Sequence, residues 1–284
     1  MSVTRRMVPV TPVPVASWVV SSNGDARYDV VGIGNALVDV IAHADDRFIT
    51  EHELVKGSMT LVETERAVQL YRALGSAVEM SGGSAANTMC GVASFGGRAA
   101  YLGKVSDDDL GQVFGHDLLA VGVNFRPGAP ADGVPTGRCI IVVTPDAQRT
   151  MNTYLGVSSL LCPPDLDEAT IADGRVLYME GYLYDRDDAK EAFRTAAAIA
   201  HEAGRKVSLT LSDSFCVDRH RDDFLALVSD EVDILFGNDD ELCSLYRTES
   251  CDHAGCGRLG SIAAAEVISH VGPRPLVELR TLAS

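Results

Sequence analysis

Residues 28–34 read YDVVGIG, a short apolar run that closes on two glycines. An apolar run of this length, ended by turn residues, predicts a buried β-strand. The folded part of the chain is therefore expected to begin at Tyr28.

Further apolar runs follow this strand, and amphipathic segments separate them. The runs are residues 98–103, 175–179, 206–211 and 232–236, and helices are predicted over residues 109–121 and 187–203. Strands that alternate with helices form βαβ units, in which the strands lie parallel. The chain is therefore predicted to be an α/β protein with a doubly wound, mostly parallel sheet and helices on both faces.

Two places interrupt this alternation. Residues 37–42 and 59–62 are predicted as extra strands at the first, and residues 138–144 and 149–154 at the second, where the hairpin-type turn PDAQ separates them. A small β-structure outside the main sheet would accommodate them, and such a flap can close over a substrate. We expect these lid strands, within about residues 37–62 and 136–154, to belong to one α/β domain spanning residues 28–284.

The two ends of the chain depart from this pattern. Residues 1–27 contain two arginines before a short apolar stretch that prolines interrupt, so a flexible extension is expected rather than a signal peptide or a membrane span. Residues 248–257 (TESCDHAGCG) are turn-like where another strand should follow, and they lead into a helix predicted over residues 258–271. The main sheet is therefore predicted to be truncated near the C-terminus.

The composition excludes several classes of protein. The 284 residues include 24 Lys+Arg against 40 Asp+Glu, and a formal net charge of −16 repels nucleic acids and anionic membranes. The seven cysteines are scattered and form no C-x-x-C pair, so neither a disulfide framework nor a zinc site is indicated. We expect a cytoplasmic protein with reduced thiols, whose partner is a small molecule.

The first motif that could carry chemistry is SGGSAAN at residues 81–87. Gly82 and Gly83 let the backbone approach a ligand closely, and the start of a helix then offers free N–H groups. Asn87, one turn into that helix, can donate and accept hydrogen bonds to hydroxyl groups. The alternative is a Gly-Gly turn before a helix of small residues.

The second motif is GIGNALVD at residues 32–39. It lacks the third glycine of a dinucleotide-binding fingerprint, and no helical stretch follows it, so it does not indicate a Rossmann site. Asp39 lies in an apolar run. Its carboxylate is either on the polar face of a strand or directed at the hydroxyl groups of a ligand.

The third motif, NDDE at residues 238–241, follows the apolar run 232–236. Oxygen ligands from Asn238 and Glu241 at the carboxyl end of a strand suit Mg²⁺ held through water and phosphate. The same string is also typical of a helix N-cap followed by acidic residues of the first turn, which is a purely structural role. The Gly-x-Gly-x-x-Gly string at residues 255–260 has no preceding strand and is not expected to bind a nucleotide.

Four motifs, taken in chain order, resemble those of the ribokinase-like, or PfkB-type, carbohydrate and nucleoside kinases. They are residues 32–39, 81–87, 103–111 (GKVSDDDLG) and 238–241. The resemblance covers about residues 28–246 and resumes over residues 256–275. Within the family, residues 151–156 (MNTYLG), 180–183 (EGYL) and 257–275 are most similar to bacterial adenosine kinases. Ser106 stands where the family usually has glycine.

The resemblance implies an α/β fold with a β-lid and assigns roles to individual residues. The positions that match the family's substrate-binding residues are Asp39, Gly82, Gly83 and Asn87, and those that match its phosphate and Mg²⁺ side are Asn238 and Glu241. The family takes its catalytic base and anion hole from a later Gly-Ala-Gly-Asp segment, which this sequence does not contain. No catalytic residue and no metal ligand are therefore assigned, and the junction between Tyr246 and Cys256 is interpreted as an internal deletion or a gene-model error.

The resemblance implies an ATP- and Mg²⁺-dependent kinase that phosphorylates a nucleoside or sugar hydroxyl, with adenosine as the first choice. A catalytically impaired protein that binds a nucleoside or ribose is the alternative, beside a ribokinase- or fructokinase-type sugar kinase. An NAD-binding oxidoreductase is a more distant alternative. A homodimer is expected if the truncated sheet leaves an exposed edge.

Overall fold

The computed structural model describes residues 26–248. Most of the expected N-terminal extension, the Gly-x-Gly-x-x-Gly string at 255–260 and the helix over 258–271 lie outside these residues, as does nearly all of the junction after Tyr246. The division into an extension and a domain of residues 28–284 therefore stays a prediction. Among the described residues, no helix has both the length and the apolarity needed to span a bilayer.

The strands are β1 (Tyr28–Ile33), β2 (Leu37–His43), β3 (Met59–Leu61), β4 (Ala77–Gly82), β5 (Ala99–Gly103), β6 (Asn124–Pro127), β7 (Gly137–Val143), β8 (Arg149–Tyr154), β9 (Gly174–Glu180), β10 (Lys206–Thr210) and β11 (Ile234–Phe236). The helices are α1 (Asp46–Glu51), α2 (Thr64–Ala73), α3 (Ser84–Ser94), α4 (Asp109–Ala120), α5 (Glu168–Ala172), α6 (Asp187–Glu202), α7 (Ser214–Arg219), α8 (Arg221–Asp230) and α9 (Asp239–Tyr246). Short 3₁₀ turns occupy Gly156–Leu160, Pro163–Asp165 and Gly181–Asp185.

The main sheet has the strand order β11-β10-β9-β1-β5-β6, and every neighbouring pair is parallel. This arrangement confirms the predicted doubly wound parallel sheet, with β1 near its centre. Within the described residues, β11 forms one edge. The strand that was missed is β6, which has few apolar residues because it lies at the opposite edge.

Helices cover both faces of the main sheet. Successive side chains of each strand point to opposite faces, so every strand contributes apolar side chains to both layers of the core. On one face, Val31 and Leu177 pack with Phe193 of α6 in a fully buried core. On the other face, Tyr101 packs with Met89 of α3 and with other residues of α3 and α4. Parallel strands buried in this way are read from sequence as nearly continuous apolar runs, which explains why they were predicted.

A second sheet has the order β3-β8-β7-β2-β4 and contains the strands predicted outside the main sheet. β2 pairs with β7 in parallel and with β4 in antiparallel orientation, and β7 and β8 form the predicted hairpin. One face of this sheet is buried through Val38, Val40 and Ile140. We call the opposite face, which carries Asp39, the open face.

The edge strand β4 and helix α2 were missed by the sequence interpretation. On β4, Val78 and Met80 remain 62% and 45% exposed, and they alternate with polar residues along a short edge strand. A pattern of this kind does not differ clearly from that of an exposed helix or loop.

The segment GKVSDDDLG at residues 103–111 runs from β5 to α4 and forms hydrogen bonds with Thr136, directly before β7. Asp108 caps α4 by accepting from the Gly111 backbone N–H at 2.8 Å, and it also accepts from the Thr136 backbone N–H at 2.8 Å. The Ser106 backbone N–H donates to the Thr136 hydroxyl at 2.9 Å. The segment therefore anchors the start of β7 to the start of α4.

Candidate functional site

Asp39 lies in the middle of β2, on the open face of the second sheet, and its carboxylate rests against Gly82 of the neighbouring strand. A Cβ atom at Gly82 would lie 2.3 Å from Asp39 Oδ1 and 2.6 Å from Oδ2. Any side chain at Gly82 would therefore displace the carboxylate. The glycine is needed for this close approach, as the sequence motif suggested.

The Asp39 carboxylate is partly buried, and no donor among residues 26–248 forms a hydrogen bond with it. Burial raises the pKa of Asp39 to about 6. Cys139, its partner in register on β7, has a pKa raised to about 11, chiefly by burial and to a smaller extent by the Asp39 charge. A desolvated carboxylate without a protein donor is chemically suited to accept hydrogen bonds from a ligand.

Gly83 and Asn87 follow Gly82 in the chain, at the junction of β4 and α3. Gly83 caps the start of α3 with φ +88°, and a Cβ there would lie 2.4 Å from the backbone oxygen of Asn35. Asn87 is exposed on the first turn of α3, and its backbone N–H donates to the Gly83 backbone oxygen at 2.9 Å. The fold thus brings Asp39 against Gly82, directly before Gly83, and leaves the Asn87 side chain exposed on α3.

Glu180, at the end of β9, was missed as a site residue, although it is among the most buried charged groups of the described chain, at 1% exposure. Its Oε2 accepts from the Asn35 backbone N–H at 2.7 Å and from Asn35 Nδ2 at 3.2 Å. Its Oε1 accepts from the Ala85 backbone N–H at 3.0 Å and from the Ser84 hydroxyl. The N-terminus of α3, which the sequence suggested would offer free N–H groups, is thus already in part occupied by this carboxylate.

The signal for Glu180 in the sequence is an acidic residue at the end of an apolar strand, directly before a glycine. That pattern locates the residue at the carboxyl edge of the sheet but does not identify its partners. Those partners are 95 to 145 residues distant in sequence.

Asn238 and Glu241 form a capping box at the start of α9. Asn238 Oδ1 accepts from the Glu241 backbone N–H at 2.9 Å, and Glu241 Oε2 accepts from the Asn238 backbone N–H at 3.1 Å. The structural alternative for this motif is therefore observed. Burial raises the pKa of Glu241, and the charges of Asp213 and Asp240 add to this effect, whereas the backbone hydrogen bond from Asn238 opposes it.

Glu180 and Glu241 both act on Tyr182, at the carboxyl edge of the main sheet. Tyr182, directly after β9, has a pKa raised above its usual range by burial and then by the negative charges of Asp213, Glu180 and Glu241. Ligands of parallel α/β sheets bind at this edge. Among the described residues, no group of three or more His, Cys, Asp or Glu side chains is arranged to hold a metal ion by itself.

Solved structures resemble this chain over most of its length. The adenosine kinase of Sinorhizobium meliloti matches with a TM-score of 0.73 and 43% sequence identity, over 91% of this chain and 99% of that chain. A probable sugar kinase of Rhizobium etli CFN 42 matches with a TM-score of 0.73 and 39% identity, over 91% and 98% of the two chains.

More distant relatives match a smaller part of their own length. The guanosine-inosine kinase of Escherichia coli (strain K12) is 28% identical over 225 residues, which are 75% of this chain and 51% of the relative. Probable fructokinase-2 of Arabidopsis thaliana is 28% identical over 195 residues, which are 66% and 51% of the two chains. The chain thus spans about half the length of these curated relatives.

A family model described as pfkB family carbohydrate kinase matches residues 54–277. The match includes the strands of the second sheet from β3 onward, the Gly82–Gly83 turn and the α9 capping box, and it extends beyond the described residues. Because the matched segment makes up well over half of the chain, this chain belongs to the pfkB family of carbohydrate kinases.

Proposed function

We propose that this chain binds adenosine and transfers a phosphoryl group from ATP to its primary hydroxyl, in the presence of Mg²⁺. The observation that carries the proposal is the Asp39 carboxylate, which is desolvated, has no donor among residues 26–248 and rests on Gly82. An ionised carboxylate accepts charge-assisted hydrogen bonds from hydroxyl groups and orients them. The exposed Asn87, in the helix that follows Gly82 and Gly83, can donate and accept further hydrogen bonds.

The open face around Asp39 favours a nucleoside over a free sugar. Leu37 and Ile41 flank Asp39 on the same face of β2. On β4, the exposed Met80 lies opposite Asp39 and the exposed Val78 lies opposite Ile41. A free sugar would leave this apolar surface exposed to water, whereas the base of a nucleoside would cover it. The similarity to the adenosine kinase of Sinorhizobium meliloti and to the guanosine-inosine kinase of Escherichia coli agrees with this choice.

We assign Asn238 and Glu241 to the phosphate side of the site. A Mg²⁺ ion that arrives with a nucleotide needs only one or two protein carboxylates, since phosphate oxygens and water complete its coordination. The donor chemistry fits, because Glu241 lies in a negative environment made by Asp213 and Asp240 that a cation would neutralise. When bound, the ion would compensate the charge of the phosphoryl group during transfer.

A second candidate function is binding of a nucleoside without turnover. It is favoured by the absence of a Gly-Ala-Gly-Asp segment from the sequence, because the family resemblance assigns the base and the anion hole to that segment. A general base and an oxyanion site each contribute about 10²-fold or more to a rate, so a chain without both would be slower by about 10⁴-fold.

Calorimetry with adenosine and ribose, combined with an assay of ATP consumption, tests the proposal. We expect adenosine to bind and Asp39→Asn to abolish detectable binding. The exposed Asp132→Asn serves as the matched control and should bind like the wild type. Equal heats for wild type and Asp39→Asn would refute the assignment of Asp39, whereas binding without ATP consumption would select the second candidate.

We also propose the cytoplasm as the compartment of this protein. The described cysteines, Cys90, Cys139, Cys162, Cys216 and Cys243, are free thiols, which is typical of a reducing environment. The net charge of −16 agrees with the absence of nucleic acids and anionic membranes from the proposed partners.

A further inference from the structure

Three strands of the second sheet join the rest of the chain at one buried point. β2 begins two residues after Asn35, and β4 ends just before Gly83 and Ser84. β8 ends directly before Leu155 and the 3₁₀ turn that contains Ser158. The second sheet therefore leaves the main sheet through three segments that lie side by side.

Glu180 and Asn35 connect these segments. Glu180 accepts hydrogen bonds from Asn35, Ser84 and Ala85. The hydroxyl of Ser158, a residue with no solvent exposure, lies 3.0 Å from Asn35 Oδ1 and 2.6 Å from the Leu155 backbone oxygen. The end of β9 in the main sheet is thus linked, directly or through Asn35, to the segments that connect β2, β4 and β8 to the rest of the chain. We call these segments, residues 35–36, 83–85 and 155–158, the roots of the three strands.

The carboxylate of Glu180 is saturated by these contacts. Each of its two oxygens accepts two hydrogen bonds, which together fill the roughly four acceptor positions of a carboxylate. A methyl group at Gly34 would lie 3.0 Å from Glu180 Oε2, so the chain also packs tightly against it. Glu180 therefore has no free position with which to touch a substrate.

We propose that Glu180 is a positioning residue that sets the orientation of the second sheet on the main sheet. By holding the roots of β2 and β4, it places Asp39 and Gly82 at the carboxyl edge of the main sheet. Its effect on substrate binding rests on the proposed function, whereas its effect on the second sheet does not.

The chemistry at this position requires a carboxylate. The backbone N–H groups of Asn35 and Ala85 donate to different oxygens of Glu180, and a backbone N–H can act only as a donor. A glutamine would direct its NH₂ group at one of them and leave two donors facing each other. The negative charge is also favourable at the N-terminus of α3.

Hydrogen exchange of the full chain tests the proposal independently of any activity. In Glu180→Gln we expect amides of residues 35–43 and 82–87 to exchange at least tenfold faster than in the wild type, while β10 keeps its protection. Glu191→Gln on the exposed face of α6 is the matched control and should exchange like the wild type. Unchanged exchange, or an equal increase in β10 and the second sheet, would overturn the proposal.

A second variant and a kinetic measurement keep the test decisive if Glu180→Gln does not fold. Ser158→Ala removes the hydrogen bonds of the Ser158 hydroxyl to Asn35 and Leu155 and leaves the bonds to Glu180 intact. We expect a smaller increase in exchange rate, about threefold, confined to residues 35–43 and 149–158. If Glu180→Gln is unfolded and Ser158→Ala exchanges like the wild type, the proposal is overturned.

In active protein, Glu180→Gln should raise the KM for adenosine at least tenfold and leave the KM for ATP within twofold. An equal rise in both KM values would contradict the positioning role. If the wild type neither binds nor phosphorylates adenosine, the proposed function fails while the exchange pattern still decides this inference.

Discussion

Burial at Asp39 opposes the charge that the proposed chemistry requires. The carboxylate is held between Gly82 and the apolar side chains of the open face, and its pKa rises from 3.8 to about 6. A hydroxyl group that donates to it would favour the charged form and lower this pKa again. Part of the free energy of ligand binding is therefore linked to proton release.

The raised pKa of Asp39 predicts a pH dependence of adenosine binding. Only the ionised carboxylate accepts a charge-assisted hydrogen bond, so affinity should fall as the pH decreases through about 6. Between pH 8 and pH 5 we expect a loss of about tenfold in affinity, measured by calorimetry, with release of a proton at pH 5. Affinity independent of pH over this range would show that Asp39 does not contact the ligand.

The same residue predicts a pH-dependent change in stability. Since the folded-state pKa is higher than the unfolded-state value, Asp39 lowers the free energy of unfolding as the pH rises from about 4 past 6. Asp39→Asn should therefore raise the free energy of unfolding by about 1–3 kcal/mol at pH 8 and change it little at pH 4. Urea denaturation at both pH values measures this difference, and the exposed Asp132→Asn should show none.

Gly82 tests the geometry of the site separately from its charge. In Gly82→Ala the new methyl group would occupy the position of the Asp39 carboxylate, which must rotate away. We expect adenosine affinity to fall at least about tenfold, since a charge-assisted hydrogen bond is worth roughly 1.5–3 kcal/mol. Gly91→Ala in α3 meets no atom within 4 Å and serves as the control, with unchanged affinity expected. Wild-type affinity in Gly82→Ala would contradict the proposed contact.

Among the elements, α9 combines a structural and a proposed functional role at its first turn. Its N-cap and its third helical residue bond reciprocally, and Glu241 is 7% exposed. A buried carboxylate of this kind depends on its partners, because an unsatisfied charge in the interior is costly. The capping box therefore holds Glu241 at the carboxyl edge of the main sheet, whether or not a cation is bound.

Removing the cap should destabilise this element. Asn238→Ala deletes one cap acceptor and a donor to Glu241, so we expect the free energy of unfolding to fall by about 1–2 kcal/mol. Asp240→Ala, an exposed residue of the same turn, should cost no more than about 0.5 kcal/mol. Equal stability of the two variants in urea denaturation would show that the box contributes little.

In the whole molecule, the described main sheet ends at β11, and the second sheet has an open apolar face. Unpaired strand edges and apolar patches promote association. We therefore expect the purified chain to be a dimer or a larger species by light scattering. Hydrogen exchange should then protect Ile234–Phe236 less than Tyr28–Ile33. A monodisperse monomer with equal protection of both strands would contradict this prediction.

Local patterns in the sequence determined the fold class of this protein. Apolar runs alternating with amphipathic segments are a consequence of strands buried on both faces, so β1, β5, β9, β10 and β11 were predicted close to their observed bounds. The Gly82–Gly83 turn before α3 and the cap of α9 were also predictable, because glycine conformation and helix capping depend on neighbouring residues.

Only the tertiary structure decided which of these residues form the site. The partners of Glu180 come from segments far apart in sequence, and no local pattern encodes such hydrogen bonds. The burial that raises the pKa of Asp39 arises from β4 and β7 packing beside β2, and the edge strand β4 gave no clear signal of its own. The motif at Asn238 and Glu241 fitted a cap and a ligand site equally well in sequence, because both roles use the same oxygen atoms. The fold resolved the first role by closing the hydrogen bonds between these two residues.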